Sequence, residues 1–294
     1  MKRLYKNTGM ILEGGGSKGV FTSGVLDYFT EQGVFTSYVA GVSAGACNAV
    51  DYVSKQSGRT KDCMIIRDKA YKYASVKNLV IKKYYFDMDL IFERFPNELI
   101  PFDYEEYFRS VNDNVTCELV TTNCRTGRPE YMSEKENGGR LMLCARASSS
   151  LPFMAPVVMI DGEPYMDGGL SDSIPVGRSL RLGNRKNVLV LTKQRGYRKK
   201  PCGIHQAALI EERYRKYPAL VRDIIYRPAV YNRQLSLIEQ MEDEGMIYVI
   251  RPEIEPVSRT ERNPDTLEGF YEHGRAVAED VINDMTDYLE RKQK

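Results

Sequence analysis

The hydrophobic pattern is clearest at the start of the chain. Thr8 to Glu13 (TGMILE) is a short apolar run that ends in GGGSKG, and VFTSGVLDYFTEQG then repeats apolar residues at helical spacing before stopping at Gly33. That pattern predicts a strand, a glycine loop and a helix. TSYVAG (36–41) is a second β-prone run, followed by Ser43 and a small-residue helix beginning near Ala44. The first 57 residues therefore predict β-α-β-α, with neighbouring parallel strands joined by a right-handed crossover. Loops that follow successive parallel strands open at the same carboxyl edge of the sheet, so the glycine loop at 14–19 and Ser43 are expected to face each other.

Further along, CELVTTN (117–123) and NVLVLT (187–192) read as strands. Between them, VVMI and EPYM flank Asp161-Gly162, a two-residue hairpin signal because both central positions of a type I′ turn want positive φ. Asp167 then follows directly on a strand and precedes two glycines. Beyond residue 200 the pattern is mainly helical: HQAALIEERYRKY, PALVRDIIYR, a helix through SLIEQM, a short strand MIYVI, and an amphipathic helix from about Leu267 to Lys292. No repeat and no Ser/Gly-rich linker interrupts the chain. The expected division is an α/β core over 1–195 and a mainly helical region over 196–294 packing on the same body.

Composition narrows the function classes. With 42% hydrophobic and 28% charged residues over 294 positions, the chain is expected to fold rather than remain disordered. A net charge of +2 from 42 basic and 40 acidic residues gives no global field for nucleic acid. Locally, Lys193 to Arg227 is basic, which fits either a solvated helical face or a surface resting on an anionic membrane. The six cysteines are scattered and form no C-x-x-C pair, which argues against zinc and against a dense disulfide framework. The basic start MKRLYKNTG leads into an apolar run too short for a signal peptide, and nowhere are there about 18 consecutive apolar residues to span a bilayer. A cytoplasmic protein, in peripheral contact with membrane at most, is the expectation.

GGGSKG matches Gly-x-Gly-x-x-Gly at Gly14, Gly16 and Gly19, but a dinucleotide site also wants a carboxylate at the end of the second strand, and YVAGVSAG has none. No Gly-Lys-Ser/Thr closes the loop as a phosphate loop would require. Unshielded backbone N–H groups at a helix N-terminus can instead stabilise a developing oxyanion. Ser43, framed as Gly41-x-Ser-x-Gly45 between strand and helix, has the setting of a nucleophile elbow; the plainer alternative is a helix cap. Three groups are candidates for its base. His273 follows Asp167 in the order of a Ser-Asp-His triad, yet sits in the helical pattern EGFYEHGRAVAEDV; His205 opens another helix in the basic stretch. Asp167, at a strand end with glycines that allow close approach, can accept the proton directly if it lies within hydrogen-bond reach.

The ordered set GGGSKG (14–19), GVSAG (41–45) and DGG (167–169), with the Ala-Ser-rich ARASSSLPFMAPV (145–157) before the aspartate, resembles the patatin-like phospholipase family over about residues 8–195. Within it the chain looks most like bacterial members with a helical C-terminal extension. The resemblance implies a three-layer α/β/α sandwich with a mainly parallel central sheet. It also implies a Ser-Asp dyad of Ser43 and Asp167, with Gly14, Gly15 and Gly16 as oxyanion loop. Lys18, Gly19, Gly41, Gly45, Gly168 and Gly169 would support those motifs. Substrates would be acyl esters of lipids or small esters, with no metal, calcium or other cofactor. Lys18 stands where many members have arginine, which keeps the charge and loses the planar fork. A nucleotide- or lipid-phosphate-binding module, in which Ser43 does no chemistry, is the alternative from another class.

Overall fold

A computed structural model describes residues 3–75 and 84–291. Met1, Lys2 and the expected helix end at Lys292 lie outside the described residues. β1 (Arg3–Leu12) and β2 (Val34–Val42) flank α1 (Gly19–Glu31) and pair in parallel. α2 (Ala44–Val53) and α3 (Arg59–Met64) lead to α4 (Leu90–Leu99), which is wound as a π-helix around Pro96, and to α5 (Tyr104–Asp113). β3 (Thr116–Asn123), β4 (Pro129–Met132) and α6 (Gly138–Ser148) follow, then the hairpin of β5 (Val158–Ile160) and β6 (Glu163–Asp167). Asp161 and Gly162 at its tip have φ of 51° and 82°, the left-handed pair that the sequence signal requires.

α7 (Val176–Arg181) and β7 (Lys186–Val190) complete the α/β succession. α8 (Ile204–Tyr214), α9 (Pro218–Asp243), β8 (Tyr248–Ile250) and α10 (Pro264–Glu290) make up the rest. The two helices expected across 218–241 are one: α9 runs unbroken through Pro228. An interior proline removes one hydrogen bond and usually breaks a helix. Here Tyr231, Leu235, Ile238 and Met241 are buried beyond it, so packing of that face holds the helix together.

The mixed sheet is mainly parallel, in the order β5-β6-β3-β2-β1-β7-β8, with β4 added to β3. Side chains alternate across it. Met10 and Leu12 of β1 join a core with α1, α2, α6 and α10, whereas Ile11 joins Leu189 and the buried face of α9 on the other side. The result is a three-layer α/β/α sandwich. The C-terminal segment is woven into it: β8 pairs in parallel with β7, and α10 lies against α1 at very short range. A Cβ on Gly24 would sit 2.2 Å from the Tyr271 carbonyl oxygen, and one on Gly274 would sit 2.3 Å from that of Phe21. Only paired glycines allow two backbones this close.

Candidate active site

Strand register alone brings the two expected residues together. Leu119 and Val120 pair with both β2 and β4, while Thr121 and Thr122 pair with both β4 and β6. A strand has two edges, so β2 and β6 lie end to end along the same edge of β3. Val42 is opposite Val120 and Asp167 is opposite Thr121, the next residue. Asp167, the last residue of β6, therefore faces Ser43, the first residue after β2.

Ser43 adopts φ 56° and ψ −124°, a conformation that costs about 1–3 kcal/mol for a residue with a side chain and is held only by its surroundings. Gly41 and Gly45 make the turn possible: a Cβ on Gly41 would lie 2.2 Å from the Gly45 carbonyl oxygen, and one on Gly45 2.3 Å from that of Leu12. The Ser43 side chain makes no cap bond to α2, so the capping role has no hydrogen bond behind it. Its backbone N–H donates to Ser148 Oγ at 3.0 Å, and that hydroxyl donates to the Val120 carbonyl at 2.6 Å.

Asp167 is fully buried. Its Oδ1 accepts the Gly169 N–H at 2.8 Å and its own N–H donates to the Ser150 carbonyl at 3.0 Å, which fixes the carboxylate plane. Oδ2 has no hydrogen-bond partner of full geometry among the described residues. Burial pushes the carboxyl above its ordinary range, and the charge of Arg227, the nearby Ser43 hydroxyl and the Gly169 amide oppose that rise.

The glycine loop faces the same point. Gly14 packs against the elbow, where a Cβ would lie 2.8 Å from Ser43 Cβ. Among the described residues the Gly14, Gly15 and Gly16 amides donate to no protein acceptor, whereas the Ser17 amide is taken by the Arg259 carbonyl at 3.0 Å. Gly19, which opens α1, abuts Ala44, and Asn48 Nδ2 ties the Gly19 carbonyl to α2 at 3.1 Å. Gly168 lets β6 leave the sheet, since a Cβ there would meet the Val120 carbonyl oxygen at 2.1 Å. Lys18 is half-buried, and desolvation lowers its pKa.

Two spaces meet at Ser43. One is an apolar cleft of about 960 Å³, open mouth included, with walls that include Val50, Met64, Phe86, Phe92, Met142 and Ala145. The other is a narrow polar pocket, about 370 Å³ with its open mouth included, lined by the glycine loop, Asp167, Glu13, Lys193, Lys199, Arg227 and Arg259. The basic stretch 193–227 thus divides. Arg195 and Arg198 pair with Asp243 and Glu239 of α9, while Lys193, Lys199 and Arg227 turn inward.

Several of these contacts had no signal in the sequence. Ser148 and Ser150 fall in the Ala-Ser-rich run, but nothing in that run shows that one binds the elbow and the other Asp167. Glu13 takes the Thr192 N–H at 2.7 Å and the Tyr231 hydroxyl at 2.6 Å, a link between β1, β7 and α9 that only the fold creates. The histidines are elsewhere. His273 Nε2 accepts the Glu253 N–H at 3.0 Å, its ring packs on Phe21 and Phe270, and it lines neither space. His205 is exposed on α8.

Residues 217–290 match a domain of unknown function (DUF6363). The uncharacterized protein YjjU of Escherichia coli K12 is 28% identical over 187 residues, 62% of this chain and 51% of that protein. Lysophospholipase nte1 of Aspergillus terreus is 27% identical over 194 residues, 60% of this chain and 11% of that protein. The chain thus spans about half of one relative and about a tenth of the other. The crystal structure of VipD from Legionella pneumophila aligns over 95% of this chain and 67% of that one, with a TM-score of 0.42 and 13% identity. Residues 10–179, more than half of the chain and spanning the glycine loop, the elbow and Asp167, match Patatin-like phospholipase, and the chain belongs to that family.

Proposed function

We propose that the protein is a serine acylhydrolase of lipid-like esters that works through Ser43 and Asp167. The observation that carries this reading is the state of Asp167: one oxygen anchored, the other buried, with no partner of full hydrogen-bond geometry among the described residues, and beside the hydroxyl of a serine held in a strained turn. Ser43 Oγ bonds to the ester carbonyl carbon as its proton passes to Asp167 Oδ2, and the glycine amides take the charge that develops on the carbonyl oxygen. The tetrahedral species collapses, the C–O bond to the alcohol breaks, and the departing oxygen takes the proton from Asp167. Water then repeats the sequence on the acyl-serine: its oxygen bonds to the acyl carbon, Asp167 takes its proton, and Ser43 leaves with that proton as the acid is released.

A carboxylate is a weaker base than imidazole, and burial offsets part of that difference by raising its proton affinity. The apolar cleft supports an acyl chain, since Ser43 is part of its wall. Lysophospholipase nte1, similar over the same region, supports a lipid ester as substrate class. The triad reading with His273 has no support, because that ring is engaged with Glu253 and two phenylalanines.

Hydrolysis of p-nitrophenyl butyrate by purified variants tests the assignment. Ser43→Ala and Asp167→Asn are each expected to lose at least about 10³-fold in kcat, in the range seen when members of a nucleophile–base unit are removed. His273→Ala is expected to stay within about threefold, the scale of a surface change. Retention of activity in Asp167→Asn with loss in His273→Ala would sink the dyad.

A further inference from the structure

Part of the apolar cleft wall is a seam between two helices. α6 presents Met142, Ala145 and Ser149 to the cleft, one face at i, i+3 and i+7, and α4 presents Ile91 and Phe92. Against the same two helices lies a second space, an outer groove of about 750 Å³ with its open mouth included. Gly138, Gly139, Leu143 and Arg146 of α6 and Glu93 and Asn97 of α4 are part of its lining. Among the described residues, Phe92 and Met142 line both spaces. Their exposures are only 5% and 7%, so each is packed into the seam while still touching a space on either side. The cleft and the groove are therefore separated there by a partition one side chain thick.

The frame of the seam is fixed by polar contacts that leave those two side chains out. Arg146 Nη2 lies 2.8 Å from Asp89 Oδ1 and its Nη1 donates to Glu93 Oε1 at 3.1 Å, which straps α6 to the start of α4. The Tyr104 hydroxyl donates to Asn97 Oδ1 at 3.2 Å, and the buried Phe95 meets the Tyr73 ring edge-on at 6.2 Å between centroids. Phe92 and Met142 have no polar side-chain group to commit, so their size and shape alone decide whether the two spaces join. Methionine, unbranched with several rotatable bonds, fills such a gap without fixing it rigidly.

We infer that Phe92 and Met142 determine how long an acyl chain the cleft accepts. The inference rests on the acylhydrolase reading, which puts the ester carbonyl at Ser43 and the chain in the cleft. Methylenes that reach the partition stop against it, and those that find no place lose the gain of burial or strain the packing. With the partition cut back, the cleft opens into the outer groove, and the tail of a longer chain passes between α4 and α6.

Rates on p-nitrophenyl esters from butyrate to palmitate give the longest chain that the parent takes efficiently. For an ester about two carbons longer, Met142→Ala is expected to raise kcat/KM relative to butyrate by about tenfold, the scale of one or two methylenes gaining a buried place. Phe92→Leu, a smaller cut, is expected to move the profile the same way by less. Gly139→Phe projects into the outer groove alone, from an exposed position where a Cβ would meet only Asn137 Oδ1 at 3.5 Å. By itself it is expected to keep the parent's profile, and added to Met142→Ala it is expected to cancel the gain. Lost stability lowers the rate on every ester alike, so a shifted profile is not a folding defect; if Met142→Ala does not fold, Met142→Val takes its place. Free fatty acids of the same lengths, bound to Ser43→Ala with and without Met142→Ala, give a second profile by calorimetry that needs no catalysis. Unshifted profiles with hydrolysis that depends on Ser43 overturn the partition and leave the acylhydrolase. A gain that Gly139→Phe leaves untouched also overturns it, because the added length would then not lie in the outer groove. A shifted fatty-acid profile alongside hydrolysis that survives Ser43→Ala keeps the partition and sinks the acylhydrolase.

Discussion

The two spaces that meet at Ser43 treat charge in opposite ways. The apolar cleft has one deep ion pair in its wall, and that pair is closed on itself. Asp51 takes Arg59 Nη1 at 2.9 Å and the Thr60 hydroxyl at 2.5 Å, while Arg59 also donates to the Ile100 carbonyl at 2.9 Å. In the polar pocket, Arg227 beside Asp167 and Lys199 over the Tyr231 ring have no such closure among the described residues. Both sets of cations are withdrawn from water, so burial alone does not separate them. Hydrogen-bond completeness does: the cleft pair is satisfied within the protein, whereas the pocket cations keep donors that no described residue takes.

That contrast predicts opposite signs for two removals of positive charge. On the cleft side, Arg59→Met leaves the Asp51 carboxylate buried with only Thr60, and frees the Ile100 carbonyl. Breaking one partner of a buried pair costs about 3–5 kcal/mol, so a large drop in Tm is expected by calorimetry. Asp51 is already pushed above its usual range by burial, with Arg59 the main force opposing that rise. In Arg59→Met the carboxyl rises further, and its charged form weakens the fold as pH climbs through that raised value; the deficit against the parent therefore shrinks toward acid pH. An unchanged Tm would remove the distinction between the two sides.

The cleft's own role is tested by shape. Ser43, Cys47 and Val50 follow one another along α2 at helical spacing, all at the cleft surface, so Val50 lies about 10 Å from the serine by helix rise. Val50→Phe fills that far part. The ratio of kcat/KM for p-nitrophenyl decanoate to that for butyrate is expected to fall about tenfold, on the scale of one or two buried methylenes denied their place. An unaltered chain-length profile would mean that the acyl chain lies elsewhere.

Much of this arrangement was readable before the fold was known, and the reason lies in sequence distance. GGGSKG, GVSAG and the Asp161-Gly162 turn depend on local backbone conformation, so a few adjacent residues specify them. β1 begins five residues earlier than the apolar run because Arg3 to Asn7 is a partly exposed, polar strand end that pairs with β2 through Tyr5. The short strand β4, half-buried and headed by Pro129, carries no apolar alternation at all. The supports of the site are harder still. Glu13 meets Thr192 across 179 residues and Tyr231 across 218, and Ser43 meets Ser148 across 105. Such pairs are made by the closing of the sandwich, and no spacing rule along the chain announces them. The basic stretch shows the same limit: charge density there was plain, but which lysines face inward depends on where α9 lies.

The smallest expected effect is also the most direct measure of the open pocket. Lys199 faces Glu13, Lys193, Arg227, Arg259 and the Tyr231 ring; desolvation first, then the cations, pull its pKa from 10.5 to about 6. Below about pH 6 the lysine is charged in both states, and the folded chain bears the full penalty. Between about 6 and 10.5 the unfolded chain holds a proton that the folded one has released, so stability rises with pH, by at most about 1.4 kcal/mol per unit. Lys199→Met keeps the apolar stem and removes the titration. It is expected to be more stable than the parent at pH 7, with the gap narrowing as pH rises toward 10.5. Lys193, lowered to about 8, leaves a shallower slope of the same sign in both proteins. Sulfate, whose charge is constant over this range, is expected to narrow the gap at pH 7, because an anion beside Lys199 favours the protonated lysine of the parent and has no such group in the variant. A variant less stable than the parent at pH 7, or a gap that sulfate leaves untouched, would show that Lys199 is as well satisfied as Arg59.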